Sequence, residues 1–141
     1  MIILDTNVVS ALMRRVPEPG VVSWLDAQPA ESVWTTSITL FEVQFGLAIL
    51  PEGERRDALV AAFGRMVAED LAGRILDFDV ASASSAARIA AELRAAGRPV
   101  DVRDLQIAGI VAARRATLAT RNVRHFADAG IAVVDPWAAA A

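Results

Sequence analysis

The sequence predicts an α/β domain of three layers, α/β/α, built on a central and mainly parallel sheet. Short apolar or β-branched runs alternate with helix-forming stretches along the chain, the pattern of strand–helix–strand crossovers. Apolar residues make up 55% of the 141, enough to build a substantial core. No internal repeat or linker-like segment divides the chain, so residues 1–141 read as one domain, with 138–141 as a frayed tail.

Met1-Ile2-Ile3-Leu4 reads as a buried strand that stops at Asp5. Thr6 to about Met13 is a short helix, ended by the Pro- and Gly-containing loop 15–20. Residues 21–27, with Val22, Trp24 and Leu25, return to helix and close at Gln28-Pro29, because helical backbone is disfavoured before proline. Residues 32–36 are β-branched and aromatic, a second strand. A long helix starts near Ser37 or Thr39 and reaches Leu50, where Pro51-Glu52-Gly53 breaks it. Residues 55–71 carry apolar side chains at 59, 62, 63, 66, 67 and 71, a stripe of helical period. Residues 75–78 form a third strand, and 80–95 an alanine-rich helix stopped by Gly97 and Pro99. Residues 101–115 are the next helix, 117–119 a fourth strand and 131–134 the last, before Asp135-Pro136-Trp137. Trp34 and Trp137 belong in the core, and Trp24 in the core or an interface.

Composition removes several chemistries. There is no cysteine, hence no disulfide, thiolate nucleophile or Cys-based zinc site. All 14 basic residues are arginine, and a P-loop needs a lysine. His125 is the only histidine and no Gly-x-Ser-x-Gly elbow accompanies it, so a Ser-His-Asp triad has no support. A phosphatase or receiver-type site with Asp5 as phosphoryl acceptor lacks its partners too: position 7 is asparagine, and no lysine exists. No stretch reaches the roughly 18 to 20 apolar residues of a membrane span, and no basic flank marks a signal peptide. A cytoplasmic protein without membrane contact is the expectation.

The net charge of -3 argues against an unspecific grip on a polyanion. Between Arg94 and His125, however, seven arginines (94, 98, 103, 114, 115, 121, 124) face only two acids, Asp101 and Asp104. Arg114 and Arg115 suit the last turn of a helix, where cations complement the dipole. Arg121 and Arg124 are candidates for contact with substrate phosphate.

In open α/β sheets the functional crevice lies outside the carboxyl ends of the strands. Asp5 ends the first strand, and Glu42 falls in the first turns of the helix after the second. Asp104 lies in the first turn of the helix that follows the 97–100 turn, and Asn122 shortly after the fourth strand. All four therefore share one edge. Each also has a capping role open to it: Asp5 and Asn122 as N-caps, Thr39-x-x-Glu42 as a capping box, and Asp101-x-x-Asp104 at a helix start. Three carboxylates brought together repel by on the order of a few kcal/mol at intermediate dielectric, and a divalent cation relieves that repulsion. All-oxygen ligation points to Mg²⁺ or Mn²⁺ rather than zinc. A metal held by acids, with no histidine base, suits phosphodiester hydrolysis and hence a nuclease.

These residues resemble the PIN-domain family. Ile3-Leu4-Asp5-Thr6-Asn7, Ser37-Ile38-Thr39-Leu40-Phe41-Glu42-Val43, Asp104-Leu105-Gln106-Ile107-Ala108, Ala119-Thr120-Arg121-Asn122 and Val134-Asp135-Pro136-Trp137 follow in order over nearly the whole chain. Each motif is weak alone; five in order are a strong signal. The sequence is most similar to the small VapC and FitB-like toxins of bacterial type II toxin–antitoxin pairs. That resemblance implies a metal-dependent endoribonuclease using Mg²⁺, with Mn²⁺ as the alternative, that cleaves structured RNA. It also implies a homodimer held inactive by a cognate antitoxin, with operator DNA reached only through the antitoxin. Carried over by position, Asp5, Glu42 and Asp104 are the acidic metal-site residues, and Asn7 and Thr120 support them by hydrogen bonds. An antitoxin of this class commonly inserts an arginine among the acids, where a guanidinium pairs with carboxylate.

One position departs from the pattern. Many relatives carry a fourth acid where this chain has Asn122, so the catalytic set Asp5, Glu42, Asp104 and Asn122 loses a charge and favours one metal over two. Asp101 either compensates or caps its helix. His125 is read as a packing or capping residue near a helix start rather than a base. A rival reading, resting on Asn122, is a catalytically weak PIN-like module that binds antitoxin or nucleic acid.

Overall fold

The computed structural model describes residues 1–139. Five strands, β1 (Ile2–Leu4), β2 (Val33–Thr36), β3 (Ile75–Leu76), β4 (Thr117–Ala119) and β5 (Ala132–Val134), form one sheet in the order β3-β2-β1-β4-β5. Every neighbouring pair is parallel, with Ile3 opposite both Trp34 and Leu118. The helices are α1 (Thr6–Leu12), α2 (Pro19–Asp26), α3 (Ser37–Ala48), α4 (Glu54–Arg65), α5 (Val80–Ala95), α6 (Val102–Arg114), α7 (Val123–Phe126) and α8 (Pro136–Ala139). No described helix is long and apolar enough to cross a membrane.

Successive strand residues point to opposite faces, and this divides the core in two. Ile3 and Leu118 pack with Ile89, Leu93, Ile107 and Ile110 of α5 and α6 on one side. Leu4 and Ala119 pack with Val8, Val9, Val43, Leu47 and Phe63 of α1, α3 and α4 on the other. The three-layer α/β/α architecture is thus built as its alternation predicts. Trp34 packs against the first cluster, Trp24 and Trp137 against the second.

Several boundaries differ from those read in the sequence, each for a local reason. Helix α2 begins at Pro19, two residues before Val21, because proline is well suited to a first helical turn whose N–H groups have no partner. The third strand covers two residues rather than four. Asp77 and Phe78 leave the sheet so that Asp79 can cap α5, accepting from the Ser82 N–H at 2.9 Å and the Ser82 hydroxyl at 2.7 Å. The 55–71 stripe is not one α-helix: α4 ends at Arg65 and residues Met66–Asp70 widen into a π-helical turn that keeps Met66 and Leu71 buried. Of the expected tail, Ala138 and Ala139 form the last turn of α8, while Ala140 and Ala141 lie outside the described residues.

The α5–α6 hairpin sets where Asp104 stands. Gly97, at φ +72°, ends α5 with paired bonds from its own N–H to Arg94 O (3.0 Å) and from Arg98 N–H to Leu93 O (2.8 Å), a Schellman closure. Asp101 then caps α6 through a 2.9 Å bond from the Arg103 N–H. Further along, the two helices touch at Gly109, where a Cβ would fall 2.5 Å from Ser82 O and 2.6 Å from Ala86 Cβ. Only a residue without a side chain lets them approach so closely.

Candidate active site

The β1–β4 register places Leu4 opposite Ala119, so the next residues, Asp5 and Thr120, leave the sheet side by side. Asp5 caps α1, accepting from the Thr6 N–H at 2.8 Å through Oδ1. Its Oδ2 accepts from the Thr120 hydroxyl at 2.8 Å and from Asn7 Nδ2 at 3.4 Å. Asn7 in turn ties down the exit of β4, donating to Thr120 Oγ1 (3.3 Å) and accepting from the Arg121 N–H (3.1 Å). Thr120 Oγ1 also accepts from the Asn122 N–H at 3.0 Å. Asp5 is only 4% exposed, and all these partners are uncharged. Burial pushes its carboxyl above the ordinary range; the Thr120 and Thr6 bonds oppose the shift, and the charges of Asp104 and Glu42 add to it.

Glu42 arrives from α3. The cap of that helix is Thr36, whose hydroxyl accepts from the Thr39 N–H at 3.1 Å, and not Thr39 itself. Glu42 accordingly makes no capping box. Its Oε1 accepts from the Thr6 hydroxyl at 2.9 Å, and that hydroxyl lies 3.2 Å from Thr39 Oγ1. Its Oε2 faces Arg103 Nη1 at 3.7 Å. Asp104 arrives from the first turn of α6, its carboxyl held above the ordinary range by burial and by Asp101, against the opposing charges of His125 and Arg103.

Two neighbours of the acids escape a reading of the sequence. His125 neither packs nor caps: it is exposed, and its Nδ1 lies 3.6 Å from Asp104 Oδ2. Arg103 stands between Glu42 and Asp101, its Nε 3.6 Å from Asp101 Oδ1. Both pairings depend on how α6 meets α3 and α7, which no local pattern encodes. The one available signal is the charge run 101–104, Asp-Val-Arg-Asp, which sets a cation between two acids.

Asn122 occupies the N-cap position of α7, yet its side chain makes no capping bond and is exposed at the crevice rim. Arg124 and His125, with Pro99 and Val100, line a cavity of about 390 Å³ that reaches Asp104. Arg121 is drawn aside, its guanidinium 4.8 Å from the centre of the Trp137 ring. Arg114 pairs with Asp79 at 3.2 Å, fastening the end of α6 to the start of α5.

Whether these groups suit a divalent cation can be judged from their chemistry. All the donors are oxygen, and the most buried of them has no ionic partner among the described residues while feeling two further carboxylates. Among the described residues no group of three or more acids or histidines is drawn together closely enough to hold a metal ion by itself. An open set of this kind matches magnesium, which keeps several waters and takes few protein ligands.

Asp5 stands at the end of β1 on a 3-2-1-4-5 parallel sheet, near enough to Asp104 and Glu42 to feel both charges, and comparison with known proteins gives the class. The PIN domain profile matches residues 2–131. The plasmid stability protein StbB of Pseudomonas syringae pv. tomato is 40% identical over 99% of this chain and 100% of its own length. The VapC ribonuclease Y4jK of Sinorhizobium fredii is 37% identical over 97% and 98%. Among solved structures, FitAcB from Neisseria gonorrhoeae matches with a TM-score of 0.88 and 36% identity over 97% of this chain and 99% of that one. FitAB bound to an IR36 DNA fragment matches with the same score and identity, over 97% and 96%. The chain belongs to the PIN-domain family, among its VapC- and FitB-like members.

Proposed function

We propose that this protein is an endoribonuclease dependent on Mg²⁺ or Mn²⁺ and acts as the toxin of a toxin–antitoxin pair. The observation that carries the reading is Asp5, a buried carboxylate held by uncharged donors alone while Glu42 and Asp104 press further negative charge on it. Asp5, Glu42 and Asp104 hold the metal, with the Asn122 amide oxygen at the rim. When bound, the metal supplies an activated water and polarises the phosphoryl oxygen.

The chain's own groups prepare that site. Thr120 and Asn7 fix the Oδ2 edge of Asp5, and the Thr6 hydroxyl fixes one oxygen of Glu42, so both carboxylates are oriented before substrate arrives. His125 presents an imidazole beside Asp104, in place for proton traffic at the crevice mouth. Arg124 stands by the same mouth to meet a phosphate.

The relatives support the biological assignment. One carries the name VapC ribonuclease, and the similar FitAB structure holds DNA. This chain accordingly forms a homodimer, binds a cognate antitoxin that covers the acids, and reaches operator DNA through that partner in the cytoplasm. The rival reading of a weakly catalytic binding module draws on Asn122 and on the open arrangement of the acids. Incubating total RNA and Mg²⁺ or Mn²⁺ with the wild type and with Asp5→Ala separates the two. Cleavage by the wild type alone supports the nuclease; equal cleavage by both would overturn it.

A further inference from the structure

We infer that Arg103 is the exchangeable counterion of this crevice, holding Glu42 in the absence of metal and turning to the substrate phosphodiester once metal takes Glu42. The proposal rests on the metal-dependent reading above, and it concerns a residue that no family motif quoted above includes.

Three observations carry it. First, Arg103 is the only cation among the described residues within 4.0 Å of Glu42, at 3.7 Å from Oε2, while Oε1 is already taken by the Thr6 hydroxyl. A ligand arriving at Glu42 from the open side therefore meets the guanidinium. Second, the arginine is loosely held. Its two ionic contacts, 3.7 Å to Glu42 and 3.6 Å to Asp101, are both beyond hydrogen-bond length, and its side chain is 43% exposed. Third, its base is fixed: the Arg103 N–H bonds to Asp101 Oδ1 at 2.9 Å in the cap of α6, one residue before Asp104. A backbone fixed in the helix cap with a loosely paired guanidinium suits a side chain that changes partner without moving the helix.

The electrostatics set the direction of the exchange. A divalent cation at Glu42 would repel the nearby guanidinium and offset the charge that held it, leaving Asp101 and Asp104 to keep it at the rim. A phosphodiester entering the crevice offers an anion that a planar guanidinium engages through two parallel bonds. Arg103 thus opposes metal entry in the empty crevice and positions phosphate in the filled one.

Calorimetric titration of Mn²⁺ into the wild type, Arg103→Gln and Arg103→Lys tests the first half, with circular dichroism to verify the fold. Arg103→Gln should bind Mn²⁺ several-fold more tightly than wild type, and Arg103→Lys, which keeps the charge, should stay close to wild type. RNA cleavage at saturating Mn²⁺ tests the second half: KM for Arg103→Gln should rise several-fold with kcat changed far less. Equal or weaker Mn²⁺ affinity in Arg103→Gln overturns the proposal while leaving the metal centre intact. Absence of Mn²⁺ binding in all three proteins overturns the metal centre and this proposal together. An unchanged KM removes the phosphate contact.

Discussion

The Thr120 hydroxyl donates to Asp5 Oδ2 at 2.8 Å across 115 residues of sequence, inside a site where Asp5 is almost fully buried. That bond favours the ionised carboxylate, and burial disfavours it. Thr120→Val removes the donor and keeps the shape. The Asp5 carboxyl should rise further, so activity that needs the ionised form should set in at higher pH. A pH–rate profile reads the shift; an acidic limb left in place would show that Thr120 does not tune Asp5.

Asp5 also links stability to pH. Its folded carboxyl lies above the unfolded value of 3.8, so between those two values the native state holds more protons than the unfolded chain. The contribution of Asp5 to stability is therefore most favourable at low pH and is lost as pH rises through the folded value. Asp5→Asn should raise the urea midpoint at pH 7 without metal, and the gain should vanish as pH falls toward the unfolded value. Urea titrations across that range decide it, and a destabilised Asp5→Asn at pH 7 would contradict the sign.

Metal should reverse the penalty. Saturating Mg²⁺ or Mn²⁺ should stabilise the wild type by about 2.7 kcal/mol at one hundred times Kd, as mass action requires. Asp5→Asn should show little of this gain. Thermal melts with metal and with EDTA measure both; equal gains in the two proteins would place the metal elsewhere.

Gly109→Ala tests the hairpin beneath Asp104. Alanine gains about 1 kcal/mol in helix propensity over glycine. Here its Cβ would lie 2.5 Å from a backbone oxygen of α5, which cannot yield as a flexible side chain would. A net loss of about 1–3 kcal/mol is expected from overpacking, with lower activity because α6 carries Asp104. Denaturant midpoints give the first and RNA cleavage the second; a net stabilisation would mean that the helices part without cost.

Asn122→Asp restores a charge at the rim. Divalent affinity grows with the charge of the ligand set, so Mn²⁺ should bind several-fold more tightly. Calorimetry checks it, and unchanged affinity would place residue 122 outside the metal's reach.

Much of the architecture is legible because it is written in local chemistry. Helix α5 runs over Val80–Ala95 as read, since Asp79 caps one end and Gly97 supplies positive φ at the other. That Asp5 stands near Glu42 and Asp104 is legible because strand ends and helix starts of a parallel sheet share one edge. Where the reading fails, two local solutions compete or none exists. Thr36 and Thr39 are both competent caps, and Thr36 takes the role, its hydroxyl accepting from the Thr39 N–H. His125 and Arg103 depend on the mutual placement of α3, α6 and α7, a property of packing rather than of period.

The central position of β1 has a consequence for the order of synthesis. Asp5 is made before Thr120, which follows 115 residues later at the end of β4, a strand paired to β5. A nascent chain emerging from the ribosome therefore carries Asp5 long before the Thr120 hydroxyl that helps to orient it. The Asp5 site is completed only once Thr120 has been released, so a product that stops short of Thr120 lacks the finished site.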